Sequence, residues 1–255
     1  VAASAAGHRL ARLAVPIGLG ALSAWIAACL WFPLTDTDIW WHLASAEWMV
    51  EHGAVPRTDP FSTSSLGTPW IDLHWGFQLL AQALWSSGGA AALVAGKCAA
   101  VAAALMLVLR PHLDRGNAWF LIPFAAFGIF HVRFHLDMRP LVMTLLGLGA
   151  LYAAGQAHLR GRLRRPWAVM LPVQIVLANM QGLYPLGAAL VTCLWLGALL
   201  DGRRDLRMLG VTCILLWAAG LATPYGWPGF VLPLALLARI TPNPGNVFSA
   251  EIAEN

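Results

Sequence analysis

The sequence predicts an all-α, polytopic membrane protein, and three observations carry that prediction. Of its 255 residues, 59% are hydrophobic and only 11% charged, against roughly 25% charged in an average soluble domain. The apolar residues gather in runs, and the length leaves room for about eight spans of ~20 residues. The positive charge is almost all arginine, with Lys97 the single lysine, and the arginines cluster in short junctions beside the runs. Clusters so placed read as topology signals rather than a nucleic-acid surface. No nucleic-acid partner is expected.

His8, Arg9 and Arg12 precede a first span at 13–33 and put the N-terminus in the cytoplasm. Residues 34–74 then form a long outer loop. Within it Asp38–His52 reads as a helix, capped by Asp36 or Thr37 and ended by Gly53. Trp41, Ala44 and Trp48 fall on one stripe, with His42 and Glu47 pointing away, as in a helix lying on a membrane surface. Pro56, Asp59-Pro60, Ser62–Ser65 and Gly67–Pro69 supply turns. Trp75–Trp85 is too short to cross at 1.5 Å per residue and reads as a half-helix or interfacial segment. Ser86–Gly89 breaks it, and Ala90–Leu109 can span.

Further runs follow at 117–131, 140–158, 166–180, 184–200, 207–222 and 228–240. Arg110/Arg115, Arg160/Arg162/Arg164/Arg165 and Arg203/Arg204/Arg207 fall at alternate junctions and read as cytoplasmic. The junctions 131–139, 179–185 and 223–228 then face outward with the 34–74 loop. If 75–85 crossed, the heaviest cluster, 160–165, would be flipped outside. The expected organisation is one membrane domain, 1–255, with about seven to nine helices. The opening Val1 and the polar end at Asn255 suggest the N-terminal part of a longer protein.

Cys29, Cys98, Cys193 and Cys213 all lie in apolar runs without CxxC or Cys/His spacing. They read as small buried hydrophobes rather than zinc ligands or disulfides. The sequence holds no P-loop, dinucleotide fingerprint, HExxH or GxSxG.

The outward junctions hold most of the unusual polar residues. Asp36, Asp38 and His42 follow the first span; one aspartate can cap the next helix, which leaves the other over. Between His131 and Arg139 stand two histidines, two arginines and Asp137. The segment reads either as a solvated loop or, since Arg133 and Arg139 are out of place on that side, as a site calling for anionic partners, with Asp137 serving one and a phosphate the other. His135 lies between them. Asn179 and Gln181 sit at a hairpin tip, where amides either bond to neighbouring helices or meet sugar hydroxyls. Tyr225 sits in the breaker cluster Thr223–Trp227, which also reads as a turn with interfacial aromatics. Lys97 lies inside a span, where such a residue is functional or snorkels outward.

Asp36-Thr37-Asp38-Ile39-Trp40-Trp41-His42-Leu43-Ala44, continued by Glu51–Ser62 and by Gly67-Thr68-Pro69-Trp70-Ile71-Asp72-Leu73-His74-Trp75, resembles the first outer loop of bacterial GT-C-type membrane glycosyltransferases. The nearest group is mannosyltransferase-like. Arg139-Pro140, Asn179 with Gly182, and Pro224-Tyr225-Gly226 add to the resemblance, and Glu251 matches an acidic position that follows. That group carries histidine where Gln181 stands and asparagine where Thr223 stands. The resemblance implies a GT-C-like fold in the bacterial inner membrane. It also implies sugar transfer from a polyprenyl-phosphate donor on the outer face, with Asp36 or Asp38 as general base or as holder of a divalent cation.

By that reading, His42, Lys97, Arg133, His135, Asp137, Arg139, Asn179, Gln181 and Tyr225 are candidates for substrate contact. Asp36 or Asp38, Arg133/Asp137 and Asn179 should converge on one outward cavity. Two other readings stay open. The chain could be a non-catalytic GT-C-like subunit of a larger envelope assembly, with other membrane proteins as partners, or a transporter of a lipid-linked solute.

Overall fold

The computed structural model describes residues 2–114 and 116–240, with side chains from Ala14 to Leu237. Arg115 and Glu251, both named above, lie outside the described residues. Every regular element described is helical; the extended chain contributes one isolated bridge, Thr58 to Pro69. In order these are α1 (Ala2–Leu30), α2 (Asp38–His52), α3 (Trp75–Leu109), α4 (Ala118–Val132) and α5 (Leu141–Leu159). Then come α6 (Trp167–Met180), α7 (Pro185–Leu200), α8 (Arg207–Ala218) and α9 (Gly226–Ile240).

Breakers set the boundaries. Gly53 adopts φ +62° and ends α2, a left-handed cap that glycine takes without steric cost. Pro185 stands at the first position of α7, where its missing N–H costs nothing. The decisive break is inside α3. Gly88 (φ −171°, ψ 22°) and Gly89 (φ 60°, ψ −144°) are non-helical. The second pair of angles is open essentially to glycine alone.

The chain folds back at that break. Residue 96 comes so close to residue 84 that a Cβ added at Gly96 would lie 2.8 Å from Leu84 Cδ1. Phe77 and Ala81 of the first arm share a buried cluster with Leu93 of the second and with Ile39. Residues 75–87 therefore form a separate arm folded back on residues 90–109, with the break where Ser86–Gly89 placed it. Burying Phe77 completely contributes about 1.5–3 kcal/mol to holding the arm down.

Two cores fill the bundle. Leu22, Ile26 and Leu30 of α1 meet Val94 and Val101 of α3, Ile129 of α4 and Val142 of α5. Leu151 of α5 meets Met170 of α6, Val191 of α7, and Leu209 and Leu216 of α8. Helices α3 and α5 join the two halves at backbone range: a Cβ on Gly149 would sit 2.9 Å from the Ala104 carbonyl oxygen. Small residues permit such approach.

The two ends of the bundle differ sharply. At one end Arg160 donates to the Pro111 carbonyl and Arg203 to that of Leu159, so the arginine junctions of the sequence gather there. The other end carries α2, the first arm of α3 and the 53–74 loop; it is called the loop end below. Among the described residues, three helical stretches are long and apolar enough to cross a membrane: Trp75–Leu109, Ala118–His135 and Leu141–Leu159. The bent pair Arg207–Leu221 and Gly226–Leu237, at 99°, makes a fourth; Ala14–Leu30, α6 and α7 are shorter apolar helices.

Two expectations are corrected. Helix α2 buries Ile39, His42, Leu43, Ser45, Ala46 and Met49, not the Trp41–Ala44–Trp48 stripe. Trp41 instead packs edge-on against Phe61 and Trp70 of the loop, with ring centroids 5.6 and 5.5 Å away. Of the cysteines, Cys98 and Cys213 are buried and Cys29 half-buried, but Cys193 is exposed.

Candidate functional site

The α1–α2 connection builds an ionic corner. Asp36 Oδ1 accepts the Asp38 N–H at 3.1 Å, which satisfies one of the free donors at the start of α2. That leaves Asp38 as the spare carboxylate. Arg139, just before Pro140 and α5, hydrogen-bonds Asp36 through Nε and through Nη2, the latter at 3.1 Å. Its Nη2 also stands 3.9 Å from Asp38 Oδ2. The Asp36 side chain is 6% exposed and that of Asp38 58%. Burial alone would raise the Asp36 pKa. The Arg139 hydrogen bond, the Asp38 N–H and the positive field of Arg139 outweigh it and hold the carboxyl below its ordinary value. Asp36 is thus a committed anion, while Asp38 is open to solvent.

Thr35 donates to Asp137 at 3.4 Å, which sets Asp137 on the edge of the same corner. Beneath it lies Lys97, wholly buried. Its Nζ sits 3.6 Å from the centroid of the Phe32 ring and has no hydrogen-bond partner. Snorkelling is corrected: the ammonium stays inside, held by a cation–π contact.

A buried polar network continues from the corner. His42 Nδ1 lies 3.4 Å from Gln78 Nε2, and the same amide nitrogen donates to Asp72 Oδ2 at 2.7 Å. Asp72 Oδ1 accepts the His74 N–H at 2.9 Å. The His74 ring bonds to Gln181 Oε1 through Nε2 at 3.0 Å. Burial, helped by the nearby His74, lowers the His42 pKa to about 4 against the opposing pull of Asp72, Asp38 and Asp36. His42 is therefore a neutral imidazole at pH 7.

Long-range ties close the loop end. Asn179 accepts from Trp75 Nε1 at 2.9 Å and donates to the Ile175 and Ala222 carbonyls, both at 2.8 Å. Tyr225 donates to the Pro56 carbonyl at 2.8 Å and Arg57 to the Pro224 carbonyl at 3.0 Å. Burial pushes the Tyr225 phenol up to about 12, so it stays a donor. The loop itself is pinned by Asp59, whose Oδ1 accepts the N–H groups of Phe61 and Ser62. Beside it an open pocket of about 330 Å³ is lined by Trp41, Ala44, Asp59, Phe61, Ser62 and Trp70.

The structure thus brings Asp36, Asp38, Asp137 and Arg139 together, with Lys97 below and His42 and Gln181 in the adjoining network. Three candidates stand apart. Arg133 donates to the Phe130 carbonyl and stacks on Phe130 and Phe134, at 3.9 and 4.3 Å from their centroids. Aromatic faces, not the expected anion, answer its charge. His135 is exposed in the 3-10 turn that follows α4. Asn179 and Tyr225 belong to the ties rather than to the ionic corner. Arg139 also pairs differently from expectation, with Asp36 in place of Asp137.

Asp72, His74 and Gln78 were not among the candidates, although they centre the buried network. Asp72 and His74 were visible inside the loop motif. Gln78 was visible as the first polar residue after Trp75 in a mostly apolar run. Among the described residues, no three His, Cys, Asp or Glu side chains group as metal ligands. Asp36 is taken by Arg139 and Asp72 by Gln78 and His74, so the corner does not fit a cation and no step below passes through one. No family model, curated protein or solved structure matches this chain.

Proposed function

We propose that this chain is a multi-pass membrane glycosyltransferase of GT-C type, which moves a sugar from a polyprenyl-phosphate donor at the loop end. The membrane part of the reading is supported by Ala118–His135, an apolar stretch only 11% buried in the protein. Trp119, Phe120, Phe124 and Phe127 on it are between 54% and 76% exposed. So large an apolar face needs an apolar solvent. The gathered arginines support the reading that the opposite end is cytoplasmic and the loop end outward, in a bacterial inner membrane.

The observation that carries the enzymatic reading is an open carboxylate, Asp38, beside a fixed Arg139–Asp36 pair and above a buried ammonium. Asp38 takes the proton from the acceptor hydroxyl. The acceptor oxygen bonds to the anomeric carbon as the carbon–oxygen bond to the lipid phosphate breaks. The electron pair leaves with the phosphate, and the anomeric centre inverts. Arg139 faces the developing charge, and Lys97 joins it once Phe32 swings aside. Asp36 holds Arg139 in place. Neutral His42 and the Asp72–Gln78 pair fix α2 against the first arm of α3.

The non-catalytic subunit reading has one observation in its favour. Both amide hydrogens of Asn179 and the hydroxyl of Tyr225 are already used inside the protein. The test is transfer of labelled sugar from polyprenyl-phosphate donors by the full chain in vesicles. Product that forms with wild type and is lost with Asp38→Asn supports the enzyme. No product from any donor, or solute movement without product, sinks it.

A further inference from the structure

The arginine end holds a second pocket that sugar transfer does not use. It has a volume of about 390 Å³ and opens between the last turns of α3 and α5. Arg110, Arg160 and Arg162 line it together with Gln156, and no carboxylate does. Met106, Leu107, Ala153 and Ala157 form its wall. Arg160 is fixed by its bond to the Pro111 carbonyl. The Arg110 and Arg162 residues are exposed.

Three guanidiniums in one concavity demand an anion. Each presents a planar fork of donors that suits a phosphate. The wall matters equally. Met106 and Leu107 continue the apolar surface of α3 down from the charged rim, so a ligand seated here meets cations at its head and hydrocarbon along its tail. A free phosphate would leave that wall unused.

We propose that this pocket binds the phosphate of an anionic phospholipid, with an acyl chain lying along α3. The proposal rests on the membrane part of the reading above, and not on the sugar chemistry. Basic pockets between apolar helices take lipid headgroups on the same electrostatic grounds. The adjacent pocket, lined by Arg164 and Arg203, also includes Asp205; its carboxylate offsets that charge and makes it the control.

The full chain, purified in neutral detergent, is titrated with phosphatidylglycerol or phosphatidylcholine, and retained lipid is counted by native mass spectrometry. One phosphatidylglycerol should be held at least about tenfold more tightly than phosphatidylcholine. Arg162→Gln should weaken it about fivefold, and the triple glutamine variant of Arg110, Arg160 and Arg162 about a hundredfold. Glutamine at both Arg164 and Arg203 should change little.

Equal retention of the two lipids overturns the proposal, and so does equal weakening by the control pair. Displacement by millimolar inorganic phosphate would assign the pocket to a free anion instead and also overturns it. If the triple variant fails to fold, the exposed single variant decides. Alkaline extraction separates the two readings. A chain that stays in the membrane pellet but retains no lipid refutes this pocket alone, whereas a chain released to the supernatant refutes the membrane reading.

Discussion

Substituting each of two neighbouring aspartates should break different properties of the protein. Asp36→Asn preserves volume and can still accept the Asp38 N–H, but it removes the charge that Arg139 grips. Arg139 is 47% exposed in its side chain, so water takes over part of its solvation. The loss should be about 1–2 kcal/mol, not the 3–5 kcal/mol of a fully buried pair. Asp38→Asn removes an exposed carboxylate 3.9 Å from the guanidinium, and stability should stay within about 0.5 kcal/mol. Turnover should behave the opposite way. Asp38→Asn should lose about 10²–10⁴ in rate, the range of a missing general base, while Asp36→Asn, which only loosens Arg139, loses less. Thermal unfolding in detergent and labelled-sugar transfer read the two effects separately. Acid adds a check. The native Asp36 pKa lies below its ordinary value of 3.8. Its stabilisation is full above that value and disappears as pH falls through the native one. Full turnover in Asp38→Asn, or equal destabilisation by both variants, would refute the assignment.

The remaining predictions concern the network and the packing beneath it. His42 is kept neutral down to about pH 4 in the fold but takes a proton near 6.5 when unfolded, so stability should fall as pH drops from 6.5 to 4. The slope should approach about 1.4 kcal/mol per unit; an identical slope in His42→Gln melts would exclude His42 as its source. Gln78→Leu strips Asp72 of a buried donor and should cost about 1–3 kcal/mol, read from denaturant or thermal midpoints; an unchanged midpoint would mean water reaches Asp72. Lys97→Met should raise the melting temperature, because a buried ammonium without a hydrogen bond is costly, while slowing transfer; a lower melting temperature would show that its contact with Phe32 outweighs the desolvation. Gly149→Val drives a side chain into the backbone at Ala104 and should destabilise by about 1–3 kcal/mol, with no shift in thermal midpoint as the refuting result.

Much of the helix layout was legible because glycine and proline punctuate it. Gly53, Gly88-Gly89, Pro140 and Pro185 mark ends that local sterics dictate, whatever the rest of the chain does. The side-chain partners were less legible. Arg139 passes over Asp137, two residues away, for Asp36, 103 residues away, because the turn before α5 packs beside the end of α1. The surroundings of the α2 tryptophan stripe were misread for a related reason. Such a stripe is the natural face to lay on a membrane, but Phe61 and Trp70 of the loop pack edge-on against Trp41. That leaves the bundle to receive His42, for which Asp72 and Gln78 supply polar company. No local pattern announces such a choice. It depends on where a distant polar pair happens to sit.

The ties between Pro56 and Tyr225 and between Arg57 and Pro224 span 169 and 167 residues. Their consequence is temporal. At roughly 5–20 residues per second of synthesis, the early loop must wait about ten to thirty seconds for the residues that clasp it. Until then the loop that carries Phe61 and Trp70 has no clasp from the later chain. The segment made first is among the last to be secured, so a ribosome stalled before residue 222 would leave a nascent chain whose Pro56 and Arg57 still lack their partners.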